Sequence, residues 1–362
     1  MEFLPTTLGT RPRLALEIRA EGVVAARAED AAALLTAVAR GDVAEGAVVP
    51  GLKVGNITNR AGVVAAVRSA LDGLVGRGAE RSRDVTLIVP DAAVRVLLLD
   101  FDQLPSKMAE ALPVVRFRLK KLLPFDADFA AVSYQVMSNA KDGVRVVAVA
   151  MPKDVLDEYE GVVTAAGYLP GAVLPSTLAA LAGLDETDTA ALVVNAGAGA
   201  VTTAIVRAGI LLLHRSVDMR DEAVGREVHA MALPLVDREG SAGEWARQEP
   251  LHDRFDVEAA MQTSVVETAE MREAAGRAAE REVMQAVSVA AAYFEDTLQT
   301  SAESVLSAGT LGADALMAMM RESGLEGLRV REIVEAGMIG AGAATSQVSR
   351  GWLAGVRGAL KN

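Results

Sequence analysis

The sequence predicts a two-domain α/β protein assembled from two similar halves. Its 362 residues are too many for a typical single core and suit two. Strand hairpins at residues 13–27 and 190–216 each open a stretch in which strands give way to helices. Between them, residues 84–165 read as a mixed strand and helix insertion that interrupts the first half.

Residues 13–27 (RLALEIRAEGVVAAR) alternate as a hairpin does, with its turn near Ala20 to Gly22. Residues 62–75 have the spacing of an amphipathic helix. Residues 84–101 read as two apolar strands joined by the Pro90-Asp91 turn. Residues 106–123 are helical, with Pro113 near the start and Pro124-Phe125-Asp126 as the stop. Strands at 129–137 and 144–151 follow, then a helix at 153–166 ending on Gly167, and a further strand and short helix reach about Leu184.

Acidic, polar residues 185–189 mark a domain boundary. Strands at 190–194, 201–206 and 210–216 then enclose the glycine-bearing turn NAGAGA. Residues 218–256 are weakly patterned and suggest short helices. Residues 257–300 are helical throughout and predict an antiparallel pair of helices. A short strand at 304–307, a turn at Ala308-Gly309, a helix at 314–323 and a last helix at 344–360 complete the chain. Two halves that each open on a strand hairpin are the pattern of an actin-like fold. The expected division is a first domain at 1–83 completed by 166–185 and by the C-terminal helix at 344–362, an insertion at 84–165, and a second domain at 186–343.

Composition narrows the function. Charged residues are 23% and hydrophobic residues 51%, which predicts ordered globular structure. A net charge of -12 and only 4% aromatics argue against nucleic acid as a partner. The cluster Arg116, Arg118, Lys120 and Lys121 is the local exception, and reads as a solvated helix face or as a contact for an acidic partner or membrane surface. With no cysteine there is no disulfide framework and no thiolate metal site. The N-terminus lacks the pattern of a secretory signal, and residues 190–213 are too interrupted for a membrane span, so a soluble chain is expected and any membrane association is indirect. His214, His229 and His252 lack paired metal-ligand spacing.

A nucleotide held between two such halves needs turns whose backbone N–H groups reach phosphate oxygens, and carboxylates for Mg²⁺. The candidate cofactor-binding residues are Glu17 and Arg19 in the first hairpin, Asn195, Gly197, Gly199 and Thr202 in the second, and Ala308-Gly309 after the late strand. Glu17 is the candidate metal ligand. No nucleophile elbow or Walker loop appears, so no catalytic residue is assigned. For each hairpin an ordinary strand turn is the competing reading.

Taken together, Pro90, Leu104-Pro105, Leu123-Pro124-Phe125-Asp126, Tyr134-Gln135-Val136 and Ala166-Gly167-Tyr168-Leu169-Pro170 resemble, in order and spacing, the PilM family of type IV pilus assembly proteins. That family is related to FtsA within the actin-like ATPases. The resemblance spans roughly residues 13–360 and implies two domains with RNase H-like cores. It also implies ATP and Mg²⁺ in the cleft. A cytoplasmic place at the inner membrane is implied as well, where the N-terminal tail of a PilN-like bitopic membrane protein docks beside the insertion, with other platform components nearby. Leu123, Pro124 and Phe125 belong to that docking region.

The sequence departs from the family at Glu17, Arg19, Ala20 and Glu21, where an Asp, a Gly and small hydroxyl residues are the rule. It departs again at Asn195, where the family has Asp, and at Ala308-Gly309, where it has paired glycines. The expected function is therefore a scaffold with degenerate or weak nucleotide binding. The alternatives are a working ATP-dependent protein of the same fold or a component like GspL, the type II secretion platform protein.

Overall fold

The computed structural model describes residues 12–74, 83–140, 143–219, 257–325, 327–343 and 348–361, with backbone alone for 257–275. The N-terminal residues 1–11, the weakly patterned segment 220–256, and His229 and His252 lie outside the described residues.

The first hairpin forms as expected from β1 (Leu14–Arg19) and β2 (Gly22–Ala28), buried on both faces. β3 (Leu35–Gly41) pairs antiparallel with β2, and α1 (Arg60–Leu74) crosses over to β4 (Asp84–Val89), which lies parallel to β1. β5 (Arg95–Phe101), α2 (Met108–Leu119), β6 (Ala130–Ala140) and β7 (Gly143–Pro152) come next, followed by α3 (Lys153–Ala165). β8 (Leu169–Pro175) then runs parallel to β4, and α4 (Ser176–Ala182) closes the half. The first sheet has the order β3-β2-β1-β4-β8.

The second half repeats this order. β9 (Ala191–Ala196), β10 (Ala200–Arg207) and β11 (Ile210–Asp218) form an antiparallel meander. After α5 (Val257–Leu298), β12 (Ser304–Gly309) pairs parallel with β9. α6 (Ala313–Glu322) then leads to β13 (Arg329–Glu332), parallel to β12. The resulting order β11-β10-β9-β12-β13 matches the first sheet strand for strand, in direction as well as position.

Three expectations change. β4 and β5 do not pair with each other: β4 sits between β1 and β8, while β5 joins the antiparallel sheet β5-β7-β6. The insertion sheet thus begins after the Pro90-Asp91 turn and ends at β7, narrower than 84–165, because the Val-rich β4 is buried in the first core. Residues 257–300 hold one 42-residue helix in place of the antiparallel pair, since nothing in their proline-free sequence forces a turn. The last helix is α7 (Leu353–Leu360), shorter than 344–360, and residues 344–347 lie outside the described residues.

α7 is buried at every position and packs between the two sheets against α4, β1, β2 and β12. Its apolar residues join a core shared by both halves, with Val24, Ile88, Leu178, Val193 and Leu306 around it. Small residues permit the close approach: a Cβ at Gly358 would run into the Ala179 carbonyl oxygen. Gly358→Ala is expected to overpack this crossing and lower stability by about 1–3 kcal/mol. Calorimetry on the purified variant checks it, and an unchanged melting temperature would contradict the packing described.

Candidate functional site at the cleft between the halves

The matched topologies bring the ends of β1 and β9 face to face. Arg19, at the end of β1, is nearly excluded from water. Its Nε donates to Glu17 Oε1 at 2.7 Å, and its Nη2 donates to Ser176 Oγ at 2.5 Å and to Asn195 Oδ1 at 2.9 Å. Glu17 Oε1 also accepts from Ser176 Oγ at 2.6 Å. Asn195, at the end of β9, donates through Nδ2 to Thr177 Oγ1 at 2.9 Å, Ser176 Oγ at 3.0 Å and Asp91 Oδ2 at 3.3 Å. Asp91 in turn accepts from the Thr177 amide and hydroxyl at 3.1 and 2.5 Å. One side chain from the second half thus meets four from the first.

A second bridge lies beside it. Glu21, in the turn between β1 and β2, accepts through Oε1 from the Ala198 amide at 2.5 Å and from Thr310 Oγ1 at 2.6 Å. Ala198 belongs to the glycine-bearing turn of the second hairpin. Gly197 there leaves no room for a side chain, because a Cβ would meet the same Glu21 oxygen at 2.5 Å.

The charges follow from these contacts. Burial pushes the Glu17 carboxyl up from its ordinary value, outweighing the opposing Arg19 charge and the Ser176 hydrogen bond. Burial alone would lower Arg19, but Glu17, Glu21 and Asp91 together hold it above its ordinary value, firmly cationic. Burial likewise works against Glu21, yet the Arg19 charge and the Thr310 and Ala198 hydrogen bonds hold its carboxyl below 4.5.

The expected cofactor residues can now be placed. Glu17, Arg19, Asn195 and Gly197 meet at the cleft, and Gly199 and Thr202 line it. Thr202 Oγ1 is directed to Ser216 Oγ of β11, at 3.0 Å. Ala308 and Gly309 are the last residues of β12, where the Gly309 amide donates to Gly351 O at 2.9 Å. The chain's own C-terminal segment therefore covers the position expected to pass under an adenine. Asp91, Ser176, Thr177, Glu21 and Thr310 also belong to the site. The Pro-Asp turn and the Pro-Ser-Thr step at 175–177 were signals for the first three; nothing local marks Thr310.

These residues do not fit ATP and Mg²⁺. Glu17 is fully buried and engaged by an arginine, so it is not a ligand poised for a hydrated magnesium ion. What remains of the cleft is a cavity of about 40 Å³. That is room for a few waters. A phosphate within about 4 Å of Glu21 would meet about 4 kcal/mol of repulsion per unit charge at an effective dielectric of about 20. Among the described residues no group of three or more His, Asp or Glu could hold a metal ion. His214 lies on β11, with Nε2 buried, and burial lowers its pKa against the opposing charge of Asp91.

The insertion carries Leu123, Pro124 and Phe125, the corner at which the resemblance implies docking. Leu123 and Phe125 pack half-buried against a small core of Leu99, Val115 and Leu119, with Pro124 exposed between them. Large apolar side chains stand in solvent on the same insertion: Phe117 is 66% exposed and Phe129 74%. The basic cluster is partly spent on structure, since Arg116 donates to the Ala127 and Ala130 carbonyls and Lys120 pairs with Asp128 at 2.6 Å. Lys121 lies 5.7 Å from the Phe117 ring. No helix among the described residues is long and apolar enough to cross a membrane.

No family model matches the sequence, and no curated protein matches it. Among solved structures the chain is similar to the PilM-PilN type IV pilus biogenesis complex, with a TM-score of 0.68 at 19% identity over 96% of this chain and 98% of that one. A weaker likeness, TM-score 0.44 at 10% identity over 96% and 89% of the two chains, joins it to the ethanolamine utilization protein EutJ from Carboxydothermus hydrogenoformans. Another, TM-score 0.38 at 12% identity over 63% and 78%, joins it to the cytoplasmic domain of EpsL, an inner membrane component of the type II secretion system of Vibrio cholerae. The first likeness, together with the duplicated strand order, makes this an actin-like α/β fold.

Two predictions test the cleft. Arg19→Met strands the Glu17 carboxyl in the interior and is expected to cost about 3–5 kcal/mol in urea denaturation, part of which Glu17→Gln restores; additive losses would contradict the pairing. Because the Glu21 value is lowered on folding, its contribution is complete above pH 4.5 and is lost as pH falls through the lower folded value. Glu21→Gln should therefore lose less stability than the parent on acidification below pH 4.5, and parallel curves would contradict this.

Proposed function

We propose that this chain is a scaffold of a type IV pilus assembly platform, at the cytoplasmic face of the inner membrane. In this reading it receives the N-terminal tail of a PilN-like bitopic membrane protein and contacts other platform components. The observation that carries the proposal is end-to-end agreement with one chain of a PilM-PilN complex, insertion included, at a TM-score of 0.68. The collapsed cleft supports a binding role over a hydrolytic one, since Glu17 and Asn195 are engaged by protein groups.

The docking place in this proposal is the insertion around Leu123, Pro124 and Phe125. An extended apolar tail gains affinity from main-chain hydrogen bonds beside strands and specificity from pockets for alternate side chains. The exposed Phe117 and Phe129 supply apolar surface on that insertion, which a monomer gains nothing by displaying. Membrane association would come through the partner.

Pull-down and calorimetric titration with the N-terminal peptide of a PilN-like bitopic membrane protein from the same organism test the reading. Saturable binding is expected, weakened about tenfold or more by Pro124→Glu or Phe129→Ser and unaffected by MgATP. Absence of binding to the parent chain would overturn it.

A further inference from the structure

At the cleft between the two halves, side chains of the first half reach groups of the second. The turn at residues 197–199 is built as an anion seat: small residues, the backbone amide of Ala198, and the Thr310 hydroxyl beside it. An anion already sits there. Glu21 reaches across from the first half and places one carboxylate oxygen 2.5 Å from the Ala198 nitrogen and 2.6 Å from Thr310 Oγ1. Next to it Arg19 spans the same gap to Asn195 Oδ1 at 2.9 Å.

We propose that Glu21 is a tethered anion that occupies the chain's own phosphate-type turn and, with Arg19 and Asn195, latches the two halves shut, so that the cleft neither takes nor needs a nucleoside triphosphate. The glycine at 197 fits this role, because any side chain there would displace the Glu21 carboxylate. The lowered pKa of Glu21 agrees with an ionised group held by donors. Small turn residues that would admit a phosphate are thereby kept for a different anion. The inference stands on the cleft geometry alone, independently of the platform assignment, and its test involves no membrane-protein peptide.

The chain contains no cysteine, so two introduced ones report the separation of the halves cleanly. Spin labels at Glu45→Cys and Glu322→Cys, both exposed and on opposite halves, give the distance distribution by pulsed electron resonance. The latch predicts one narrow distribution that millimolar MgATP leaves unchanged. Glu21→Ala and Thr310→Val should each broaden or lengthen it, and Glu21→Gln, which keeps the shape and loses the charge, should fall between. Amide exchange at Ala198 should accelerate about tenfold or more in Glu21→Ala. The proposal is overturned if MgATP shifts the parent distribution, or if Glu21→Gln and Thr310→Val both leave distance and exchange as in the parent.

Discussion

A guanidinium with almost no access to water must be met on every side, and Arg19 sets the terms for the rest of this molecule. Its donors are answered by Glu17 from its own strand, Ser176 from the start of α4 and Asn195 from the other half. Removing a partner from such a group leaves a buried charge uncompensated, which costs more than the pair contributes when intact. The positions of β1, α4 and β9 are therefore fixed relative to one another by one side chain. Asn195 is as demanding, because its amide donates to three groups of the first half. An Asp at 195 would bring a negative charge against Asp91, so the neutral amide suits this polar cluster.

The repeated topology explains why these residues meet. Each sheet opens on a hairpin whose first strand lies between an antiparallel and a parallel neighbour. The ends of β1 and β9 thus occupy equivalent places in the two halves, and the helices α4 and α7 pack between the sheets. Alanines in both helices and the glycines of α7 allow the backbones to approach closely. Core packing brings the halves together; the polar groups at their meeting line then decide how closely they shut.

Much of this was legible in the sequence. Both hairpins, α1, α3 and the Gly167 stop follow from alternation, 3.6-residue periodicity and turn chemistry, all local signals. The edge strands β3 and β13 escaped because half-exposed segments such as RVRE carry no clear alternation of apolar residues. Strand pairing escaped as well: the Pro90-Asp91 turn suggests a hairpin, whereas β4 is claimed by the buried first sheet. At the site, Glu17, Arg19 and Asn195 could be named from hairpin position. The Glu21 and Thr310 contact joins residues 289 apart in sequence, and only the closed fold reveals it. Local reasoning marks Glu21 only as a departure from the family's first hairpin; the structure sets its carboxylate against the Ala198 amide and the Thr310 hydroxyl.

The central claim is that the cleft is filled by the protein. A crystal structure grown in saturating MgATP tests it most directly. The account predicts the Glu21 carboxylate against the Ala198 amide and Thr310 hydroxyl, with no nucleotide between the halves. Triphosphate density on the turn at 197–199, with Glu21 swung away and Glu17 facing magnesium, would contradict it.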